Sequence, residues 1–339
     1  MSSHQTPEML KLINGFQVSR AIYVAAKLGL ADLICDGGTT CAGLAAATDT
    51  DPAALHRVIR VLASVGVFDL QPDGQVNPTE LSKTLLTDAP GSLRGWAVDQ
   101  LGGEHYQAWG ELLHSVRTGD VAFDHVFAKN AWEHRAENPQ SAKEFDDGMA
   151  SFIGAHNQSV LDAYPFGERG DLCDLGGGDG QFIASALTQF PNLRGTLFEQ
   201  PHVAHRARQR LREAGLGARC EVVDGDLFES VPKGGAVYLM SRVIHDWNDD
   251  QARQILTVCR RAMDPQSVLL LIERVLPDRM CATATNRALA VSDLNMLVMT
   301  GGRERTEAQF KALLESTGFS VRSIKATHTA LSIIEAQPH

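Results

Sequence analysis

Apolar and polar positions follow two different rhythms along the chain. Up to about residue 165 the apolar residues recur at helical spacing, and continuous apolar strands are missing; Val18, Ile22, Ala25, Ala26 and Leu28 share one helical face. The stretch 39–68 reads as a helix, a turn at Thr48–Pro52, and a second helix. Asp51 is placed to cap that second helix, and Pro52 suits its first position. Turn signals at Pro72, Asp73 and Gly74 then separate two short β-prone pieces. A helix-turn-helix followed by a hairpin is the outline of a winged helix.

From about residue 170 the rhythm changes. Short apolar runs (DLCDL, GTLFEQ, CEVVDGD, AVYLMS, SVLLLIERVL) alternate with helical patterns over 180–190, 202–214 and 249–263. AQFKALLESTGF adds a helix that stops at Gly318, and SVRSIKATHT and ALSIIEAQ read as closing strands. This alternation predicts an α/β fold, a doubly wound and mostly parallel sheet with helices on both faces. The predicted domains are 1–165, mostly helical, and 166–339, the α/β body. A length of 339 residues agrees with two domains at roughly 100–200 residues each.

Composition narrows the partners. With 44% hydrophobic and 21% charged residues, the chain is an ordinary globular one. Its 31 Lys+Arg against 41 Asp+Glu leave a net charge of −10, which argues against a general nucleic-acid binder. Residues 1–100 are themselves net acidic, so the winged-helix outline points to packing or dimerisation instead of DNA binding. No apolar run approaches the ~20 residues that span a bilayer, and MSSHQTPEML lacks the pattern of a secretory signal. The six cysteines are scattered and no CxxC occurs, as expected of reduced thiols in a cytoplasmic protein. His125 and His134 stand apart, so neither a metal ion nor a cluster of ligands is expected.

Four motifs carry chemistry, each just after a predicted strand. The first is Asp174-Leu175-Gly176-Gly177-Gly178-Asp179-Gly180. Glycines allow a tight turn and close approach of backbone N–H groups to a ligand. A dinucleotide fingerprint requires a glycine where Gln181 stands, so the pattern favours S-adenosylmethionine, which has no pyrophosphate, over NAD. The second is Glu199 in LFEQP, 23 residues after Gly176, placed to accept hydrogen bonds from ribose hydroxyls. In the third, Gly225-Asp226-Leu227-Phe228, Asp226 is a candidate acceptor for the adenine amino group and Leu227 or Phe228 for its ring. Asp224 competes with Asp226 for that role.

The fourth motif is Ser241-Arg242-Val243-Ile244-His245-Asp246-Trp247. A phenolic acceptor with pKa near ~10 needs its proton removed at neutral pH, and histidine near ~6.5 is the natural base. Two carboxylates, Glu273 and Glu304, are expected to converge on His245 and set its tautomer. Asp246 is assigned to local structure.

The ordered run DLGGGDG, LFEQPHV, GDLFESVPKGGAVYLMSRVIHDWNDD, IERVLPD and DLNMLVMTGGRERT resembles the caffeic-acid-type, class I S-adenosylmethionine-dependent O-methyltransferases, whose bacterial members tailor secondary metabolites. The resemblance covers nearly the whole chain. It implies a Rossmann-like methyltransferase sheet behind an N-terminal, winged-helix-like dimerisation domain that also caps the substrate, and a homodimer. It implies catalysis by His245 with Glu273 and Glu304. Donor contacts would come from Asp174, Gly176, Gly177, Gly178, Glu199, Gln200, Asp226 and Leu227. Plant members usually carry Lys where Ser241 stands, which leaves that contact to Ser241 or Arg242. The acceptor, a small hydroxylated aromatic (phenolic, polyketide, quinone or phenazine), would meet Phe145, Met149, Phe152, Asn295, Met296 and Met299. Some relatives act on nitrogen or carbon; His245 with both glutamates favours oxygen.

Overall fold

The computed structural model describes residues 5–35 and 37–339, with all their side chains except those of residue 5 and residues 150–155. They form two compact units, one holding the chain up to 107 together with 138–153, the other holding 108–137 and 154–339. The change of rhythm along the sequence predicts a boundary at 165. The segment 108–137 packs with the α/β body because Ala108, Ala122, Phe123 and Ala131 share an apolar cluster with Val298 and Met299.

In the first unit, helix α1 (Gly15–Leu28) buries Ala21, Ala25 and Ala26, with Ile22 and Leu28 packed alongside. Helix α2 (Cys41–Thr48) is capped by Thr40 and α3 (Pro52–Ser64) by Asp51, whose Oδ1 accepts from Ala54 N–H at 2.7 Å. Helix α3 turns Leu55, Ile59 and Leu62 inward. Strands Phe68–Leu70 and Gln75–Pro78 pair antiparallel, and Thr39–Thr40 joins the second of them. The expected helix-turn-helix and hairpin are both present.

The second unit is built on seven strands: β1 (Leu172–Leu175), β2 (Gly195–Glu199), β3 (Cys220–Asp224), β4 (Val237–Ser241), β5 (Val268–Glu273), β6 (Phe319–Ala326) and β7 (Ser332–Pro338). Their order is β6-β7-β5-β4-β1-β2-β3, all parallel except β7, which runs antiparallel to both its neighbours. Strands β1 and β5 are buried at every position, the pattern of a sheet covered on both faces. Alternation along the strands serves two cores. Leu239, Leu270 and Ile272 pack with Phe182, Ile183 and Leu187 of helix α4 (Gln181–Gln189). On the opposite face Tyr238, Leu269 and Leu271 pack with Ile255 and Leu256 of α6 (Asp249–Ala262) and Phe310 of α8 (Glu307–Glu315). Helix α5 (Pro201–Glu213) follows β2, and α7 (Ala284–Met299) precedes α8.

The chain runs outward from β1 through β2 to β3, then returns to β4 on the other side of β1. Ligands of open α/β sheets bind at the carboxyl ends of the strands at such a reversal. All four motifs lie on that rim.

Candidate active site

At the end of β1 the chain turns on Gly176 (φ +70°), whose missing side chain leaves room for Val243: a Cβ there would lie 2.8 Å from Val243 Cγ2. A Cβ on Gly177 would lie 2.6 Å from Asp174 Oδ2, so this bend closes over the Asp174 carboxylate. Gly178 N–H donates to Glu199 Oε2 at 2.9 Å, and Gln200 N–H donates to Glu199 Oε1 at 2.8 Å. Glu199 thereby ties the end of β2 to the glycine bend. Burial raises its pKa above the usual carboxylate range. Gln200 is exposed at the start of α5.

Asp174 is 1% exposed, and neither carboxylate oxygen has a hydrogen-bond partner among the described residues. Burial, with Glu199 adding to it, pushes its pKa to about 7, against the pull of Arg242. Arg242 adopts the left-handed conformation (φ +56°) just past β4, and its backbone N–H donates to Ile272 O at 2.9 Å. Its Nε has no partner among the described residues. Burial, then the neighbouring Arg274, lowers its pKa to about 10. Ser241, the last residue of β4, is half-buried.

Of the two acids after β3, Asp224 pairs with Arg208. Asp226 Oδ1 accepts from Phe228 N–H at 2.8 Å and shapes the loop. Leu227 packs into the core beside the glycine bend, and Phe228 meets Trp247 edge-on at 4.8 Å.

His245 lies in a short 3-10 turn, Ile244–Asp246, just beyond β4. Its Nδ1 is 3.1 Å from Glu304 Oε1 and 3.6 Å from Glu273 Oε2, and its Nε2 is 3.7 Å from Asp246 Oδ1. Both glutamates are fully buried. Glu273 Oε1 also accepts from Ile244 N–H at 2.9 Å, which fixes the turn to the end of β5. Burial alone would lower the imidazole pKa; Glu273, Glu304 and Asp246 overcome it and raise His245 to about 9. Burial lifts Glu273 to about 7. It works on Glu304 too, but His245, Arg274 and Ser292 hold that carboxyl below its ordinary range. An imidazolium–Glu304 ion pair follows, with Glu273 as a second acid alongside.

The expectation that no ligand cluster forms needs correction, because donor atoms of His245, Glu273 and Glu304 gather within 4.8 Å of one another. His245 Nδ1 is hydrogen-bonded to Glu304 Oε1, and Glu273 Oε1 accepts the Ile244 amide, while Glu273 Oε2 and Glu304 Oε2 have no hydrogen-bond partner among the described residues. A transition-metal ion would need their lone pairs turned to one centre at about 2.0–2.2 Å. We read the cluster as acid–base machinery.

Three contributors escaped the sequence reading. Ser292 Oγ donates to Glu304 Oε1 at 2.6 Å, and Asp293 Oδ1 accepts from Glu304 N–H at 2.9 Å. This polar pair interrupts the apolar run ALAVSDLNMLVM, and that interruption was a usable signal. The third is Asp246, assigned to local structure, whose carboxylate lies beside the nitrogen expected to take a proton.

The acceptor candidates divide between the units. Phe145 and Met149 are half-buried on the helix Pro139–Ala163, and the Phe152 side chain lies outside the described residues. In the second unit Asn295 Oδ1 accepts from Trp109 Nε1 at 2.8 Å. Met296 is buried, and Met299 packs in the cluster with Phe123 and Val298.

Comparison with known proteins adds three kinds of likeness. Residues 109–320 match the model of the O-methyltransferase domain, and residues 10–88 match that of the O-methyltransferase dimerisation domain. The phenazine O-methyltransferase of Lysobacter antibioticus is 40% identical over 97% of this chain and 95% of its own. The solved mitomycin 7-O-methyltransferase superposes with a TM-score of 0.93 at 38% identity, covering 99% of this chain and 98% of that one. An O-methyltransferase of neocarzinostatin biosynthesis, solved with S-adenosylmethionine and 2-hydroxy-5-methyl naphthoic acid, gives a TM-score of 0.83 at 30% identity, over 95% and 96% of the two chains.

Proposed function

The chain belongs to the O-methyltransferase family, and on that footing we propose that His245 is the general base for methylation of a hydroxyl on a small aromatic secondary metabolite. As a member it is an S-adenosylmethionine-dependent methyltransferase. The residues at the rim suit this donor. A Cβ on Gly178 would meet open space, Asp174 offers two buried, unpartnered oxygens, and Arg242 offers an unpartnered Nε. The ammonium and carboxylate of an amino-acid end bring the charges these groups lack. In this reading Asp174, Gly176, Gly177, Gly178, Ser241 and Arg242 hold the methionine end. Glu199 and Gln200 hold the ribose, and Asp226 and Leu227 the adenine.

When bound, the donor supplies a methyl group on a cationic sulfur. The protein supplies the base. In the neutral ring Glu304 holds the one proton on Nδ1, which leaves the Nε2 lone pair of His245 free to take the proton of the acceptor hydroxyl, and the oxygen becomes the nucleophile. The acidic surround that raises the imidazole pKa to about 9 brings it within about one unit of a phenol, which makes the transfer nearly even. Positioning supplies much of the remaining rate. Phe145, Met149, Phe152, Asn295, Met296 and Met299 are the proposed acceptor contacts.

The single observation that carries this reading is the His245–Glu304 hydrogen bond with Glu273 at its side. The test uses labelled donor with hydroxyphenazines, hydroxynaphthoates, hydroxybenzoates and hydroquinones, followed by product mass. His245→Ala should abolish turnover of whichever acceptor is methylated. Undiminished turnover would point to an acceptor that needs no deprotonation, such as an amine.

We further propose a homodimer through the N-terminal unit. Met9, Leu10, Leu12, Ile13 and Phe16 are exposed apolar side chains near the start of the segment that matches the dimerisation domain. Sedimentation should give twice the chain mass. No nucleic-acid partner enters this proposal. No helix among the described residues is long and apolar enough to cross a membrane. The six cysteines are free thiols, which supports a cytoplasmic setting.

A further inference from the structure

The loop that brings Glu304 to the imidazole also carries a buried arginine. Arg305 is 1% exposed, the largest of the fully buried side chains among the described residues. Extended backbone sends successive side chains to opposite sides. Glu304 turns to the His245 ring, and Arg305 reaches the main chain of the turn that carries it.

The guanidinium donates from Nη1 to Ile244 O at 3.1 Å and from Nη2 to Trp247 O at 2.9 Å, one carbonyl on each side of His245. Nε and Nη2 reach Asp249 Oδ1, at the start of α6, at 3.0 and 2.8 Å. The surrounding backbone adds to the grip. Arg303 N–H donates to His245 O at 2.8 Å, and a Cβ on Gly302 would fall 2.0 Å from that same oxygen. Both ends of the turn, the helix behind it and the loop that orients the ring therefore meet at one planar cation. A buried charge is tolerated when its hydrogen bonds are matched, as they are here. Lysine has three donors at a single point and cannot span these acceptors.

We propose that Arg305 is a positioning residue for methyl transfer: it clamps the turn from Ile244 to Trp247 so that the His245 ring stays seated against Glu304. The proposal rests on His245 as the base. The charged groups facing that ring are Glu273 from β5, Glu304 from the loop and Asp246 from the turn itself, with Arg135, Arg242 and Arg274 beside those carboxylates.

The test compares Arg305→Lys, which keeps the charge and loses the planar fork, with the full-length wild type. Histidine labelled with carbon-13 at Cε1 gives a resonance for His245, assigned by its absence in His245→Ala. As the ring drifts from Glu304, its titration midpoint should fall by about one unit. With the methylated acceptor, kcat should fall by about 10- to 100-fold. KM and the Kd for S-adenosylhomocysteine should stay within about threefold of wild type. An unmoved midpoint overturns the proposal, as does a rate loss that only tracks the loss of folded protein. Asp249→Asn weakens the same anchor at a more exposed acid and should shift the midpoint the same way by less. Should Arg305→Lys fail to fold, an unshifted midpoint in Asp249→Asn overturns it instead. Full activity in His245→Ala would defeat the base assignment; an inactive His245→Ala beside a normal Arg305→Lys defeats only the clamp.

Discussion

Glu199 and Gly178 are joined by a hydrogen bond of 2.9 Å that spans two neighbouring strand ends. The carboxylate of β2 thus holds the backbone of the bend that follows β1. It accepts one N–H on each oxygen, and each oxygen keeps a further lone pair for a ribose hydroxyl. Glu199→Gln keeps the shape but loses the charge and turns one acceptor into a donor. Hydrogen bonds to a charged group contribute about 1.5–3 kcal/mol, so affinity for S-adenosylhomocysteine should fall by roughly 10- to 100-fold. Isothermal titration checks this, and unchanged affinity removes Glu199 from the donor site.

The surroundings of His245 set a pH dependence whose sign can be worked out. The ring must be neutral to act as a base, and its carboxylate neighbours raise its folded pKa to about 9. The acid limb of kcat/KM, which reports the free enzyme, should therefore lie on the alkaline side of neutrality. In Glu304→Gln it should move down toward the ordinary ~6.5. Stability carries the same signature. The proton is held in the folded state between the unfolded pKa near ~6.5 and the folded value, so this contribution is complete below that window and is lost as pH rises through it. The melting temperature of the ligand-free protein should decline from pH 6.5 to 9, and less steeply in His245→Gln. A flat wild-type profile in both measurements would contradict the ion pair.

How much of this was legible beforehand depends on the range of the interaction. The Asp51–Pro52 helix start is written in adjacent residues, and so is the glycine bend after a four-residue buried strand. His245 and its two glutamates were legible because each follows or flanks an apolar run that ends on the same rim. The support behind them was legible only in part. Ser292 and Asp293 show as a polar break in an apolar run, but their partner Glu304 lies across a helix end and a loop, and no local pattern pairs them with it. Arg303 and Arg305 look alike in GGRERT, yet the first is exposed and the second fully buried. Only the fold of the loop against the His245 turn separates them. The placement of 108–137 was hidden for the same reason, since Phe123 finds its partners, Val298 and Met299, far along the chain.

Two glycines of the site should respond to alanine in different ways. At Gly302 a Cβ would meet His245 O at 2.0 Å and the backbone of Asp246 and Trp247 within 2.7 Å, with main-chain atoms that cannot step aside. Gly302→Ala should lose about 1–3 kcal/mol of stability through overpacking. It should also lose most of its kcat, since the displaced backbone carries His245, the proposed base. At Gly178 the space is open, but φ is +58°, so Gly178→Ala should lose only about 1–2 kcal/mol from backbone strain. Its loss should appear in donor affinity. Denaturant melts with kinetics on both variants check the contrast, and equal kcat losses would contradict it.

With Asp174 in its proposed donor-binding role, stability and donor affinity should oppose each other. Its carboxylate is buried without a hydrogen-bond partner among the described residues, and burial raises its pKa from the ordinary value to about 7. For an acid with a raised folded pKa, the stability that comes with its proton is full below about 4, the unfolded value, and lost as pH climbs through the folded one. At pH 8 the ligand-free protein therefore carries a desolvation penalty on the order of 4 kcal/mol at this one group. Asp174→Asn removes the charge and keeps the shape, so its melting temperature should exceed wild type at pH 8. The gain should shrink toward pH 5, where the native carboxyl is already protonated. The same substitution should weaken S-adenosylhomocysteine binding, because the oxygens freed of penalty are those we assign to the donor's ammonium. Strain kept at a functional site in exchange for binding produces this opposition. A variant that lost stability at pH 8, or kept full affinity while gaining it, would show that the orphaned carboxylate serves the fold and not the donor.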